Sequence, residues 1–537
     1  MALTSGLAAA GTLRPPKGGR EFPLLELLAG LAALAAALPL IGVLLAAFSG
    51  PGADIPLRDV ARYAVTSAWL ALLVGLITAV AGSLAAWLVV MHRFPGRSFF
   101  AWALALPLAA PAFALAYAYA DLFDVASGLR MWMRASLGVD LPFEMRSILG
   151  AAFVLGCAFY PYVYLAMRAA FLNQSVAVLE AARTLGCTQR QAFVRAAMPL
   201  ARPALAAGAA LAVMETLADY GAVQFLAVQT LTTGVVRAWS VYGSTAGAAQ
   251  FALPLLGAAA LLLWIERRGR RGKSFDAANA KWRPLPVTDL AGWKAAGASL
   301  FCLFLLTAGL LLPVGWLFWT SLSITPELPR LVRAGIHSLG LGVGGAAVTV
   351  TLAAALALGA RRIPAAARLA SLGYATPGAV MAIGLLAPAA IIWRMSPNAS
   401  GFGIGIALLI YAYAARLMAA ALEPIDAGLA KVTPSMIWAS RSLGRSAGGA
   451  AWSVQLPVAR GSLLTAALVV FIDVLKELPA TLILRPFNFD TLAVIANNYA
   501  LDERLGQAGW PSLGIILISL PAVMFLSRKI ALSRPGT

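Results

Sequence analysis

Charged residues are scarce in this sequence. Only 12% of the 537 residues are Asp, Glu, Lys or Arg, whereas 61% are hydrophobic and the mean hydropathy is +0.83. Soluble globular proteins carry about 25% charged residues, so this composition excludes an ordinary soluble enzyme. A chain this rich in apolar residues is also not intrinsically disordered.

Histidine and cysteine are also rare. The only histidines are His92 and His337, and the three cysteines, Cys157, Cys187 and Cys302, form no CxxC pair. These counts argue against a histidine metal site, a zinc site and a disulfide framework. The sequence also has no HExxH motif and no nucleophile elbow. We therefore expect no catalytic residues, no assigned metal and no cofactor bound by this chain.

What the sequence has in abundance is long apolar runs. A membrane-spanning helix needs about 20 predominantly apolar residues, and backbone groups inside a bilayer must be hydrogen-bonded within the segment. We predict an all-α integral membrane protein with about twelve transmembrane helices in two six-helix halves. The predicted spans are Leu27–Phe48, Tyr63–Met91, Ser98–Ala120, Ser147–Met167, Pro203–Met214 (continuing past two acids), Val241–Ile265, Ala295–Thr325, Ser338–Ala360, Leu369–Trp393, Ser396–Ala415, Gly461–Ile472 (continuing past charges) and Ala508–Ser527.

The basic residues indicate how these spans are oriented. With the N-terminus in the cytoplasm, the inside segments carry 29 of the 41 Lys and Arg residues and the outside segments carry 12. Cytoplasmic loops of membrane proteins are enriched in Lys and Arg, so both termini are predicted to be cytoplasmic. This bias accounts for the net charge of +19 without a nucleic-acid partner.

One long polar stretch, residues 266–294, separates the two hydrophobic halves. It is basic and contains proline, which is typical of a linker. The predicted organisation is an N-terminal tail, a first permease half, a linker, a second half and a C-terminal tail. Their bounds are 1–23, 24–265, 266–294, 295–528 and 529–537.

The two halves repeat one another without a gap over a polar loop and the next span. An offset of 258 residues pairs identical or similar residues, which indicates duplication. The pairs include Arg183 with Arg441, Gly186 with Gly444, Pro199 with Pro457, Glu215 with Asp473, and Asp219 with Glu477. Two like halves around a central path are typical of a transporter.

The best-matched loop lies on the predicted inside, between the fourth and fifth spans of each half. It is charged on one side, apolar on another and interrupted by glycine, which suits a docking element for a soluble partner. An amphipathic loop resting on the bilayer surface explains the residue types equally well.

The residues of this loop resemble a known signature. The first copy has Glu180, Ala181, Ala182, Gly186 and Pro199 of the pattern E-A-A-x-x-x-G-x9-I-x-L-P, with Ala196 at the Ile place and Met198 at the Leu place. This is similar to the loop of inner-membrane permeases in ATP-driven, binding-protein-dependent importers (ABC importers). In that family the loop holds a coupling helix that sits in a groove on an ATPase subunit.

The second copy keeps the anchors of the pattern, namely Ala439, Gly444, Leu456 and Pro457. Trp438 stands where the first copy has its glutamate, so this loop lacks the acid for a salt bridge from that position. Ser440 departs from the pattern as well.

The resemblance implies the type I importer permease fold and a role in transport rather than catalysis. The implied partners are two cytoplasmic ATP-binding subunits, which hydrolyse ATP, and a periplasmic substrate-binding protein received by loops such as Asp121–Arg146. The implied location is the bacterial inner membrane.

The segment after each loop resembles ferric iron permeases with two fused copies. It runs from Met214 through Gly221 in the first half and from Asp473 through Thr481 in the second. Fused permeases for thiamine, and relatives for phosphonate or polyamine, share this plan, so these substrates remain alternatives. An ion-coupled secondary transporter is a further alternative, against which the two Gly–Pro loops argue.

Acidic residues inside the predicted spans are candidates for the translocation path. Acids at membrane depth are costly and usually face a bundle interior or a water-filled cavity. The spacing predicts that Glu215 and Asp219 share one face of the fifth span, and that Asp473 and Glu477 repeat this in the second half. The candidate path residues are Glu215, Asp219, Tyr220, Asp473 and Glu477. The alternative is that these charges are structural pairs, for example Glu477 with Lys476 or Arg485.

Overall fold

The structure is a computed structural model, and it describes most of the chain. The described residues are 23–48, 55–140, 143–172, 184–188, 191, 195, 197–270, 287–360, 373, 376–395 and 401–532.

The first half consists of helices joined by short loops, with one 3-10 turn at Leu106–Ala109. Its described helices are α1 Pro23–Phe48, α2 Leu57–Met91, α3 Arg97–Ala103, α4 Ala112–Leu122, α5 Gly128–Leu137, α6 Ile148–Leu172, α7 Met198–Ala218, α8 Gly221–Phe225, α9 Leu231–Ser240 and α10 Thr245–Arg270.

The second half repeats this order, with π-helical turns at Thr307–Leu311 and Ala451–Gln455. Its described helices are α11 Trp293–Leu306, α12 Leu312–Ser321, α13 Leu328–Ala360, α14 Gly378–Met395, α15 Gly401–Leu429, α16 Pro434–Ser442, α17 Ala447–Ala450, α18 Leu456–Lys476, α19 Pro479–Leu484, α20 Leu492–Leu501 and α21 Leu505–Leu532.

The predicted all-α membrane fold is confirmed, with one change in how its spans are built. Among the described residues, 10 helices are long and apolar enough to cross a membrane. The predicted third span is instead bent by 91° between residues 97–109 and α4. Ala110 and Pro111, just before α4, both have extended backbone. Proline disfavours a helical conformation in the residue before it and lacks the N–H that a continuing helix would use. In the second half, α14 follows Pro377 and is a shorter apolar helix.

The duplication is visible in hydrogen bonds as well as in helix order. The N-terminus of α9 is held by Ser67, whose Oγ accepts the N–H of Leu231 at 2.8 Å. The N-terminus of α20 is held in the same way by Ser338, whose Oγ accepts the N–H of Leu492 at 2.9 Å. The two halves are therefore built on the same internal contacts.

The first helix of each half reaches across to the other half. Helix α1 packs on α13 and α14, and α12 packs on α4 as well as on α21. The Tyr411 hydroxyl donates to the carbonyl oxygen of Ala35 in α1. The Tyr119 hydroxyl donates to the carbonyl oxygen of Ala308, 2.6 Å away, just before α12. These exchanged helices fasten the halves to each other.

Both ends of the predicted linker carry secondary structure. Helix α10 continues to Arg270 and α11 begins at Trp293, so the spans extend into the stretch expected to be linker. Residues 271–286 lie outside the described residues. Thr288–Asp289 forms a short parallel pairing with His92–Arg93 at the end of α2. The described end of the linker is therefore attached to the first half.

Candidate functional site

A cavity of about 90 Å³ lies between the two halves. It is bounded by the break before α4, by α6 and by the C-terminal ends of α7 and α18. All five predicted path residues line it. Its lining includes Leu108, Pro111, Phe113, Tyr162, Glu215, Asp219, Tyr220, Arg416, Asp473, Lys476, Glu477 and Leu478.

Two of the acids do not lie on a helix face, contrary to the expectation from spacing. Helix α7 ends at Ala218, and Asp219 has an extended backbone with ψ 135°. Helix α18 ends at Lys476, and Glu477 is likewise extended with ψ 124°. Each acid is therefore the residue at which its helix ends, and its carboxylate bonds to the next helix.

Asp219 caps the N-terminus of α8. One of its carboxylate oxygens accepts the backbone N–H groups of Ala222 and Val223 at 3.0 and 3.1 Å. Unpaired N–H groups at a helix N-terminus favour a carboxylate acceptor, and such a cap is worth about 1 kcal/mol. Asp219 therefore anchors the short helix that turns back into the cavity wall.

Glu477 does the same for α19 in the second half. Its two carboxylate oxygens accept the N–H groups of Ala480 and Thr481, each at 3.0 Å. The Thr481 hydroxyl donates to the same carboxylate at 2.9 Å. The capping geometry, including the offset of 258 residues, is thus duplicated. The structural alternative raised from the sequence paired Glu477 with Lys476 or Arg485, whereas its capping partners are Ala480 and Thr481.

The charged partner of Glu477 is Arg416 in α15. Its guanidinium lies 3.8 Å from a carboxylate oxygen of Glu477 and 3.9 Å from one of Glu215. Arg416 is on the second half and Glu215 on the first, so this contact crosses the cavity. Arg485, considered as a partner of Glu477, pairs with Asp490 instead.

Lys476 and Asp473 form the other ion pair of the cavity. Their Nζ and Oδ1 atoms are 3.4 Å apart. The Lys476 ammonium also donates to the carbonyl oxygen of Leu108, 3.1 Å away, at the break before α4. A cation from the second half again reaches a group of the first half.

Sequence reasoning missed Arg416. The predicted span ended at Ala415 because a charge follows it, whereas α15 continues to Leu429. The signal was an arginine followed by more apolar residues, among them Leu417 and Met418, which continue the buried face of the helix. A charge flanked on both sides by such a pattern lies within the span rather than at its end.

The acids of the cavity differ in exposure. Side chains of Glu215 and Asp473 are 23% and 21% exposed, but Glu477, one turn further on, is 1% exposed. Beyond the acids, Tyr220 and Leu478 are buried. The cavity is therefore open toward the loop side and closed on the far side.

The closed side leaves no room for larger side chains. A Cβ on Gly221 would lie 2.8 Å from the Cβ of Phe113 and 2.9 Å from a methyl carbon of Leu478. Both neighbours are buried. Helix α8, positioned by its Asp219 cap, is thus part of the layer that closes the cavity.

The two repeated loops share an unusual backbone conformation. Gly186 and Gly444 have φ of +82° and +81°, a region that glycine occupies without steric cost. Pro199 and Pro457 are the second residues of α7 and α18, and in the second half α18 follows the π-helical turn Ala451–Gln455 without a break. Glu180, Ala181 and Ala182 lie outside the described residues.

The second loop presents an apolar surface. It contains α16, which carries Ala439, and it leads into α18 at Leu456. Met436, Trp438 and Leu443 are 45%, 55% and 85% exposed. Clustered exposed apolar side chains outside a span are typical of an interaction site.

The loop expected to receive a binding protein, Asp121–Arg146, contains α5 and an ion cluster. Asp140 lies 2.7 Å from Arg130 and 3.1 Å from Arg134. These two guanidinium groups lower the pKa of Asp140 below its ordinary value. The cluster therefore stabilises the folded state at neutral pH, and this stabilisation is lost as the pH falls through the lowered pKa of Asp140.

The fold and the site define a class of protein. Duplicated helical halves, exchanged first helices and a charged cavity at the half–half interface are the architecture of a membrane transporter. The chain is a multi-pass transport permease rather than an enzyme.

Comparison with known proteins specifies the class further. Residues 71–271 match the family described as binding-protein-dependent transport system inner membrane component. The Fe(3+)-transport system permease protein FbpB 2 of Haemophilus influenzae is 25% identical over 463 residues, which cover 84% of this chain and 86% of the relative. These matches confirm the resemblance to ABC importer inner-membrane permeases that the loops predicted.

Two further relatives match a smaller part of the chain. The sulfate transport system permease protein CysT of Escherichia coli is 33% identical over 170 residues, or 31% of this chain and 59% of the relative. The molybdenum transport system permease protein ModB of Escherichia coli is 28% identical over 199 residues, or 34% of this chain and 84% of the relative.

Proposed function

We propose that this protein is the permease subunit of an ATP-driven importer for ferric iron. The FbpB 2 relative, whose name gives Fe(3+) as its substrate, matches 84% of the chain, both halves included. The observation that carries the proposal is the cavity between the halves, which is lined by the duplicated acids Glu215, Asp219, Asp473 and Glu477.

The charges of the cavity favour a cation over an oxyanion. Its lining has four carboxylates and only two basic side chains, Arg416 and Lys476. A net negative lining attracts cations and repels anions. This favours a cargo of opposite charge to the sulfate named for the relative that matches one third of the chain. Thiamine, which also carries a positive charge, remains the second candidate, followed by phosphonate and polyamine substrates.

Two cytoplasmic ATP-binding subunits are proposed to drive transport through the repeated loops. The glycine turns and the exposed apolar face of α16 support this assignment. With these loops and both termini in the cytoplasm, the structure corresponds to the state whose cavity is open inward. A periplasmic binding protein would load the opposite state, and loop 121–146 is proposed to receive it.

The proposed units keep the bounds derived from the sequence. The two permease halves are 24–265 and 295–528, joined by the linker 266–294 and flanked by tails at 1–23 and 529–537. The permease would bind no cofactor, since ATP is used by the partner subunits.

Reconstitution tests the proposal. The chain would be placed in liposomes with its ATPase and binding protein, and uptake of radioactive iron and ATP hydrolysis would be measured with ferric, thiamine, sulfate and molybdate ligands. We expect only the ferric-loaded binding protein to stimulate both activities. Stimulation by thiamine alone would replace iron as the substrate. Transport without any associated ATPase would favour an ion-coupled secondary transporter and overturn the assignment.

A second arm tests the path. We expect that neutralising Asp219 and Glu477 together abolishes uptake while the complex still assembles. Normal uptake by this double variant would remove these residues from the path.

A further inference from the structure

The acids of the cavity are duplicated between the halves, but its cations are not. Among the described lining residues, the basic side chains are Arg416 and Lys476, both in the second half. At the offset of 258 residues, Lys476 corresponds to Ala218. When Tyr411 and Tyr413 are aligned with Tyr160 and Tyr162, Arg416 corresponds to Leu165. The two cations are therefore features of one repeat only.

Both cations reach across to the first half. Arg416 contacts Glu215 of α7 at 3.9 Å, and Lys476 donates to the Leu108 carbonyl at 3.1 Å. Neither contact has an equivalent from the first half to the second among the described lining residues. The charged contacts between the halves in this cavity are therefore all made by cations of the second half to groups of the first half.

The partners of Arg416 differ in how firmly they are held. Glu477 is 1% exposed and is fixed by three hydrogen bonds to α19. Glu215 is 23% exposed and lies on the open side of the cavity. Because breaking a buried charge pair is costly, separation of the halves should leave Arg416 with Glu477 and release Glu215.

We propose that Arg416 is a positioning and specificity residue: a tethered cation that holds Glu215 across the interface in this state and that a cationic cargo must displace from it. The contact between Arg416 and Glu215, which we call the tie between the halves, is inferred from the distance between their side chains and not from the proposed function. The competition with cargo rests on the proposed function, so the two parts are tested separately.

The tie is tested on the full chain without partners or nucleotide. Spin labels at Leu185→Cys and Leu443→Cys, which are exposed and lie on opposite halves, report the distance between the two loops after Cys187→Ser removes the native cysteine that is not buried. We expect Arg416→Gln to shift or broaden the distance distribution and Arg416→Lys to restore part of it. Arg333→Gln, which removes an exposed arginine of α13, is the matched control and should change nothing.

A double-mutant cycle assigns the effect to Glu215. If Arg416 acts through Glu215, then Glu215→Gln alone changes the distribution as Arg416→Gln does, and the double variant adds little to either. Unchanged distributions in Arg416→Gln, or fully additive effects in the double variant, would overturn the tie. Glu215→Gln leaves Arg416 paired with the buried Glu477, so it also serves if Arg416→Gln alone folds poorly.

The competition is tested with terbium(III), a luminescent trivalent ion, added to the same purified proteins. Removing the tethered cation should tighten terbium binding on the order of tenfold, which corresponds to about 1.4 kcal/mol. The gain should disappear in the double variant Glu215→Gln/Arg416→Gln. Equal terbium binding by wild type and Arg416→Gln would overturn the competition. If the spin-label distances support the Arg416–Glu215 contact but terbium binding does not change, the cargo is not a cation. That result would contradict the proposed function and not the contact.

Discussion

At the scale of single residues, the cavity shows that one acid in a membrane span can both cap a helix and line the central cavity. Asp219 and Glu477 line the cavity, yet one oxygen of Asp219 and both oxygens of Glu477 accept N–H groups of α8 and α19. Glu215 and Asp473 instead retain exposure on the open side. All four acids therefore line the cavity, but two of them also position helices.

This division predicts unequal effects of neutral substitutions. Asn caps a helix about as well as Asp, so Asp219→Asn should retain most uptake and shift thermal stability little. Glu477→Gln removes the charge that faces Arg416 at 3.8 Å, and loss of one partner of a buried pair costs about 3–5 kcal/mol. We therefore expect a clearly lower unfolding temperature and much lower uptake for Glu477→Gln.

Asp219→Ala is the control for this comparison, since it removes the cap and not only the charge. It should cost about 1 kcal/mol and reduce uptake more than Asp219→Asn does. If Asp219→Asn and Asp219→Ala were equally inactive, the charge of Asp219 rather than its capping bonds would be essential.

The same residues show what a sequence reveals about a site and what it conceals. The duplication of the acids was readable because identical spacing recurs 258 residues later. Their roles were not, because helical spacing assumes a continuous helix and α7 ends at Ala218. Arg416 was missed because the predicted span was ended at its first charged residue. In the structure this charge lies within the span because it pairs with Glu215 and Glu477, which come from other parts of the chain.

At the scale of elements, the repeated loops depend on two glycines. A side chain on Gly186 or Gly444 would meet no atom within 4 Å, so space does not require glycine at either place. Their positive φ values do, because a residue with a Cβ costs about 1–2 kcal/mol in this conformation.

We therefore expect Gly444→Ala to weaken the association with the ATPase subunits while leaving the unfolding temperature of the permease nearly unchanged. Copurification of the ATPase and the ATP hydrolysis rate of the complex measure the effect. Gly444→Asn is the matched variant, since asparagine tolerates positive φ better than alanine, and it should recover part of the association. Gly448→Ala, at a nearby glycine with negative φ and open space, should have little effect. Full association by Gly444→Ala would contradict a role for the turn.

Spans were predictable from the sequence where one continuous helix contains a long uncharged run. Helices α2, α6 and α13 coincide with long uncharged runs. The bend before α4 was not predicted, because composition gives the length of an apolar run and not its direction. Pro111 marked the place, but prolines also occur inside continuous helices such as α6 and α10.

At the scale of the whole molecule, the exchanged first helices make the two halves interdependent. Gly42 of α1 and Gly384 of α14 lie in direct backbone contact, since a Cβ on Gly42 would overlap the Gly384 carbonyl and one on Gly384 would overlap that of Pro39. Such close approach requires small residues at the helix interface. The sequence offered no sign of this exchange, because it depends on which half each first helix packs against.

The exchange predicts that the linker is dispensable for assembly. If the chain is expressed as two pieces, 1–276 and 277–537, α1 would still pack on α13 and α14, and α12 on α4. We expect the pieces to copurify in detergent and to support uptake with the ATPase and binding protein. Gly384→Ala in the second piece should weaken copurification, because its Cβ collides with α1, whereas Gly335→Ala, which meets no atom within 4 Å, should not. Pieces that purify separately would show that the linker, rather than the exchanged helices, holds the halves together.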